Sequence, residues 1–201
     1  MLSVFLDANV IYSITLTDVL LTLAEHDLFL PLWSPNVLQE AQEAASRTLP
    51  DAAQQAFRKR LIMMDQAFPE SSIHVEESEW SQFDLPDPDD RHVLAAAAQG
   101  QADALATRNI KDFPQKLLDS FSIQVITPDD LLCVLLRRNP EATASAIHEL
   151  IDSRHRPPIN IPDFAKRLER SGATQFAAAI AHIRQPLGNH SYFDQQPMNS
   201  G

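Results

Sequence analysis

Short apolar runs that stop at polar loops alternate along the chain with stretches whose apolar residues recur at helical spacing. Ser3 to Leu6 is the first such run; it ends at Asp7-Ala8-Asn9 and reads as a central strand with Asp7 at its carboxyl end. Thr17-Asp18 can cap a helix carrying Val19, Leu20, Leu23 and Ala24 on one side, and Leu28 to Trp33 is the next extended segment. Ser34-Pro35 sets a capping side chain ahead of proline in the first helical position, which predicts a helix to about Thr48, ended by Pro50. A further helix is predicted over about Asp51 to Ala67, then a short strand at Ile73-His74-Val75. Asp87-Pro88 repeats the cap-plus-proline signal and opens a helix through Val93, Leu94 and four alanines to Gly100. Ala104 to Thr107 reads as a buried strand, Ser122 to Ile126 as the last one, and Thr127-Pro128 caps a leucine-rich helix.

Strands alternating with helices imply an α/β fold, a three-layer α/β/α sandwich with a mostly parallel central sheet and helices on both faces. Beyond Asn139-Pro140 the pattern turns to helix only, with candidates at Glu141 to Arg154, Pro162 to Arg170 and Thr174 to Ile183. This is a C-terminal helical extension, residues 139–184, and the polar stretch 185–201 is expected to be a flexible tail.

The charge is unevenly placed. Its net value of -11 divides into -13 over residues 1–130 and +2 over residues 131–201, which excludes a uniformly basic nucleic-acid-coating surface. The basic residues of the later segment, Arg137, Arg138, Arg154, Arg156, Lys166, Arg167 and Arg170, are candidates for contacting a polyanion, although solvated helix faces explain most of them. The single cysteine, Cys133, lies among leucines and reads as a buried core thiol. No apolar run approaches a membrane span and the start lacks a signal-peptide pattern, so the expected location is cytoplasmic.

In an open parallel sheet the crevice lies beyond the carboxyl ends of the strands, so acids placed there carry more meaning than acids on helix surfaces. Asp7 meets this condition, with turn capping and metal binding equally able to explain it. Glu40 shares a helix face with Val37, Ala41 and Ala44, and a carboxylate on that inward stripe needs a cation, either a basic side chain or a metal. Glu43, four residues before Arg47, is explained as a surface pair. Among Asp87, Asp89 and Asp90, the first suits the cap and the last stands at the top of the buried stripe, which favours Asp90 over Asp89. The loop after the Ala104 strand carries Thr107, Arg108, Asn109 and Asp112; Asp112 could cap a turn, and Thr107 and Asn109 could serve a phosphate or only the loop backbone. Taken together, Asp7, Glu40, Asp90 and Asp112 come from four elements that a doubly wound fold can bring to one edge. Four close carboxylates would demand hard divalent cations, magnesium or manganese.

The segments Leu6-Asp7-Ala8-Asn9-Val10, Trp33-Ser34-Pro35 with Leu38-Gln39-Glu40, Leu85 to Ala97 and Ala106 to Phe113 resemble the successive motifs of PIN-domain nucleases. They are most similar to the bacterial VapC toxin subgroup. The resemblance covers residues 1–138, taken as a PIN-like nuclease domain. It implies a magnesium- or manganese-dependent endoribonuclease whose catalytic and metal-holding acids are Asp7, Glu40, Asp90 and Asp112, supported by Asn9, Thr107 and Asn109. Arg108 is the candidate for the substrate phosphate. The resemblance further implies an RNA substrate, a cognate antitoxin in the form of a small DNA-binding protein, and a homodimer. The helical extension departs from the compact toxin pattern. Competing readings are a non-catalytic binding module of the same fold and a phosphatase using Asp7 as nucleophile, for which Asn9 stands where a second aspartate is wanted.

Overall fold

The computed structural model describes residues 1–81, 83–153 and 159–181; the expected tail at 185–201 lies outside them. Four parallel strands, β1 (Ser3–Leu6), β2 (Leu30–Leu32), β3 (Ala104–Ala106) and β4 (Gln124–Ile126), form one sheet in the order β2-β1-β3-β4. Val4, Phe5 and Leu6 have no exposed surface, nor does Leu105, so the central strands are apolar on both faces, as a sheet covered by helices requires. The chain is an α/β sandwich with further helices at its C-terminus.

A one-turn helix α1 (Ala8–Ile11) follows β1, and α2 (Ile14–Glu25) has Ser13 at its N-cap, four residues before the predicted cap. Thr17 is not the cap. It is buried in the first turn, where its hydroxyl donates to the carbonyls of Ile11 (2.9 Å) and Ser13 (3.0 Å). α3 (Pro35–Thr48) starts as expected, with Ser34 accepting from the Val37 N–H, and α4 (Asp51–Ala67) packs against it. Ile73-His74-Val75 is not a strand; pairing stops at a single bridge between Trp33 and Ser72. The short α5 (Glu77–Trp80) went unforeseen. Asp87 caps a 3₁₀ turn, Pro88–Asp90, that leads into α6 (Arg91–Gln99).

After β3 come a 3₁₀ turn at Ile110–Asp112 and the one-turn α7 (Gln115–Leu118). β4 then leads into α8 (Pro128–Arg138), capped by Thr127, and on to α9 (Pro140–Asp152), α10 (Ile161–Arg170) and α11 (Thr174–Ile180). Among these last helices α9 packs on α2 and α8, and α11 packs on α8 and α10. Phe164, Leu168, Phe176 and Ile180 join the same apolar core as β1. Cys133 is half-buried on α8, and desolvation followed by the nearby Asp129 carboxylate pushes its thiol up, away from nucleophilic character. Among the described residues no helix is long and apolar enough to cross a membrane.

Candidate active site

The strand order sets the place. β1 leads outward to β2 on one side and has β3 on the other, so the connections diverge between β1 and β3, where α/β sheets open a crevice. Leu6 is in register with Ala106, and the ladder continues one residue further through the Asp7 N–H to the Ala106 carbonyl (3.1 Å). Asp7 and Thr107 are thereby neighbours at the carboxyl edge.

Both are buried, and a network fixes them. The Thr107 hydroxyl donates to Asp7 Oδ2 (2.6 Å), and the Asn9 amide donates to the same oxygen and to Thr107 Oγ1 (3.1 Å). Asn9 Oδ1 in turn accepts from the Arg108 N–H (3.0 Å), and Thr107 Oγ1 accepts from the Asn109 N–H (3.0 Å). Asp7 is also the N-cap residue of α1, yet its role exceeds capping: the side chain makes no cap hydrogen bond of the usual kind and lines an open cleft. Burial raises its pKa, the Thr107 hydroxyl and the Ala8 N–H oppose the rise, and the Glu40 carboxylate adds to it.

The cleft, of about 510 Å³, is lined by Asp7, Asn9, Glu40, Asp90, Arg108 and Asn109, together with Tyr12, Glu43, Arg47 and Asp89. Three of the four predicted acids therefore meet there from β1, α3 and the start of α6. Asp112 is not part of the lining, but it stands close enough to act on Asp90. Asp90 is raised to about 7, first by burial and then by the carboxylates of Asp7, Asp87, Asp112 and Glu40. Its side chain makes no cap hydrogen bond to α6, unlike Asp87, which accepts from the Asp89 N–H (3.0 Å).

Glu40 differs from its expected setting. It is 40% exposed at the cleft rather than buried, and its Oε1 lies 2.7 Å from His92 Nε2. The polar partner of this acid is thus a histidine ring nitrogen. His92 is the residue that sequence reasoning missed; a lone histidine on a helix of alanines was the available signal, since a buried imidazole seeks a polar partner. Tyr12 and Arg47 were also missed. Arg47 stands 4.0 Å from Glu43, the limit of an ion pair, and both line the cleft instead of forming a remote surface pair.

Asp7, Asp90 and Asp112 offer only oxygen donors, a set suited to a hard divalent cation. Burial first, and then neighbouring carboxylates, Glu40 for Asp7 and Asp7, Asp87, Asp112 and Glu40 for Asp90, raise these two groups, and a cation would offset both effects. The four predicted acids do not form a closed ring, because Glu40 is engaged by His92 and Asp112 stands outside the lining. Among the described residues no group of three or more His, Cys, Asp or Glu is arranged to chelate a metal.

Fold, register and cleft together define a small parallel α/β protein with acids at the carboxyl edge. The chain belongs to the PIN-domain family, whose model matches residues 3–111, more than half of its length. A second family model, described as the VapC50 C-terminal domain, matches residues 128–182, the segment of α8 to α11. A Mycobacterium tuberculosis (strain ATCC 25618 / H37Rv) protein named "Putative ribonuclease VapC50" is 35% identical over 92 residues, 40% of this chain and 54% of the relative. The match thus spans about half the length of that relative. No solved structure matches the chain.

Proposed function

We propose that the chain is a magnesium- or manganese-dependent endoribonuclease that hydrolyses RNA phosphodiester bonds at the Asp7 cleft. The observation that carries this reading is the meeting of Asp7, Glu40 and Asp90, from three separated parts of the sequence, at the switch point of a PIN-domain sheet. The printed name of the relative, matched over about half of its length, supports the substrate class.

Asp7 and Asp90 would be the principal holders of the cation, with Glu40 and Asp112 completing the set, the last from the margin. The chemistry supplied by a bound divalent cation is Lewis acidity, which makes water a better nucleophile and offsets charge on the departing oxygen. Thr107 and Asn9 keep Asp7 in one orientation, as partners of ligating carboxylates do. His92 orients Glu40, which would hold a cation or orient the attacking water. Arg108 and, behind it, Asn109 meet the substrate phosphate. In this reading residues 1–138 are the nuclease unit and 139–184 a helical extension, and the protein acts in the cytoplasm as the toxin of a type II pair. An antitoxin, in the form of a small DNA-binding protein, would restrain it, and a homodimer is the expected assembly.

The aspartyl-phosphatase alternative has less behind it. A phosphatase of that kind wants a proton-transferring carboxylate two residues after its nucleophile, whereas Asn9 donates its amide to Asp7 and so occupies the oxygen that would attack.

A cleavage assay on single-stranded and structured RNA, with and without magnesium, tests the reading. Wild-type protein is expected to cleave only with the metal. Asp7→Asn and Asp90→Asn are each expected to lose more than the roughly 10–100-fold typical of outer partners of a metal site. Equal activity in all three proteins would end the nuclease reading.

A further inference from the structure

The turn between α10 and α11 reaches back to the cleft. Arg108 Nη2 donates to the Ser171 carbonyl. The next residue, Gly172, has φ +86°, and a Cβ added there would stand 3.1 Å from that same Nη2. Two features therefore fit this turn to the guanidinium: a carbonyl that accepts from it, and a missing side chain that leaves it room.

The turn is itself held. Asp129, buried in the first turn of α8, accepts from the backbone N–H groups of Gln175 (3.0 Å) and Phe176 (2.9 Å), which fixes the start of α11 to the helix after β4. Arg108 is fixed at its other end too, since its own N–H donates to Asn9 Oδ1 (3.0 Å) within the Asp7 network. An exposed arginine would ordinarily sample many rotamers; this one is tied at backbone and tip. The rest of its guanidinium N–H groups have no protein partner among the described residues, so they stay free to meet a ligand at the cleft that Arg108 lines. Ordering the side chain in advance removes an entropy cost that substrate binding would otherwise bear.

Resting on the nuclease reading above, we propose that the Ser171-Gly172 turn is a positioning element of the substrate cleft, holding Arg108 as a preset contact for a backbone phosphate of RNA. The C-terminal helices then contribute to substrate binding although none of their residues lines the cleft.

Binding of a labelled 2′-O-methyl RNA oligonucleotide, which resists cleavage, is measured by fluorescence anisotropy in magnesium across a range of salt. Arg108→Ala is expected to weaken binding about tenfold at low salt, as the loss of one charge-assisted phosphate contact would. The slope of log affinity against log salt should shrink by about 0.7, the increment for one phosphate on a single strand. Gly172→Ala is expected to weaken binding about threefold, yet to add nothing in an Arg108→Ala background, because its effect passes through the guanidinium. A Gly172→Ala loss of equal size in both backgrounds would mark a merely structural turn and overturn the inference. So would Arg108→Ala leaving affinity and salt slope unchanged in a protein that cleaves RNA. A wild-type protein that neither binds nor cleaves RNA would overturn the nuclease reading and this inference with it.

Discussion

The two ends of the sheet hold aspartates in opposite electrostatic states. At the amino end Asp103, just ahead of β3, is exposed and receives the Ser3 N–H (2.8 Å) and hydroxyl (3.0 Å). Those bonds, with the chain's amino group and Arg138 nearby, hold its carboxyl below the ordinary value. At the carboxyl end Asp7 and Asp90 are raised by burial and then by neighbouring carboxylates, Glu40 for the first and Asp7, Asp87, Asp112 and Glu40 for the second. The same side chain is thus satisfied at one edge and left in conflict at the other. Satisfied charge contributes to the fold, whereas charge crowded against its own kind at a cleft is kept at a cost to it and points to a cation.

The contrast can be broken most strongly at Thr107. Thr107→Val keeps the shape but removes the hydroxyl that donates to Asp7 Oδ2. Metal affinity, read by the magnesium or manganese dependence of cleavage, should fall roughly 10–100-fold. An unchanged metal dependence would detach Thr107 from the site.

Asp90 gives the next effect, in stability. Its carboxyl is held at about 7 in the fold against an ordinary value of 3.8. Between those values the native state keeps the proton that the unfolded chain has lost. Stability of the metal-free protein should therefore fall as pH rises from about 4 to 7 and level off above. Asp90→Asn removes this slope. With the half-buried position discounted for solvent screening, the variant should gain about 1–2 kcal/mol in EDTA at pH 8 and little at pH 4. Thermal melts at the two pH values decide it, and a variant less stable than wild type at pH 8 would contradict the repulsion.

At the amino end the same change should do least. Asp103→Asn is expected to cost less than about 1 kcal/mol, because the group is exposed, and to leave RNA cleavage as it was. The sign is opposite to that at Asp90: the contribution of Asp103 is present above the ordinary carboxylate pKa and lost as pH falls through its lowered folded value. Urea melts at pH 7 and pH 3 measure it.

Much of the architecture was legible in local pattern. Ser34-Pro35, Asp87-Pro88 and Thr127-Pro128 each opened a helical segment where the cap-plus-proline signal placed it, because capping depends on neighbours two or three residues away. Thr17 misled because a buried hydroxyl that bonds back to its own helix looks, in sequence, like a cap. The one-turn helices α1, α5 and α7 are too short to show a period. At the cleft, the edge location of Asp7 and Asp90 followed from the strand and helix boundaries, whereas Glu40 was singled out by its helix face. The partner of Glu40 did not follow, since His92 is 52 residues away and only the tertiary fold brings the two side chains together. Arg47 was hidden for a related reason: its i,i+4 relation to Glu43 sufficed as an explanation, and only the fold shows that both face the cleft.

The central claim is that the carboxylates at the carboxyl edge hold a divalent cation. Calorimetric titration of manganese into the metal-free protein at pH 6, 7 and 8 tests it without any assumption about RNA. Affinity should rise with pH and proton release should be evident near pH 7, where Asp90 gives up its proton. Asp90→Asn should abolish the proton release and Asp7→Asn the binding. Binding that is indifferent to pH and to both substitutions, or no binding at pH 8, would contradict the account.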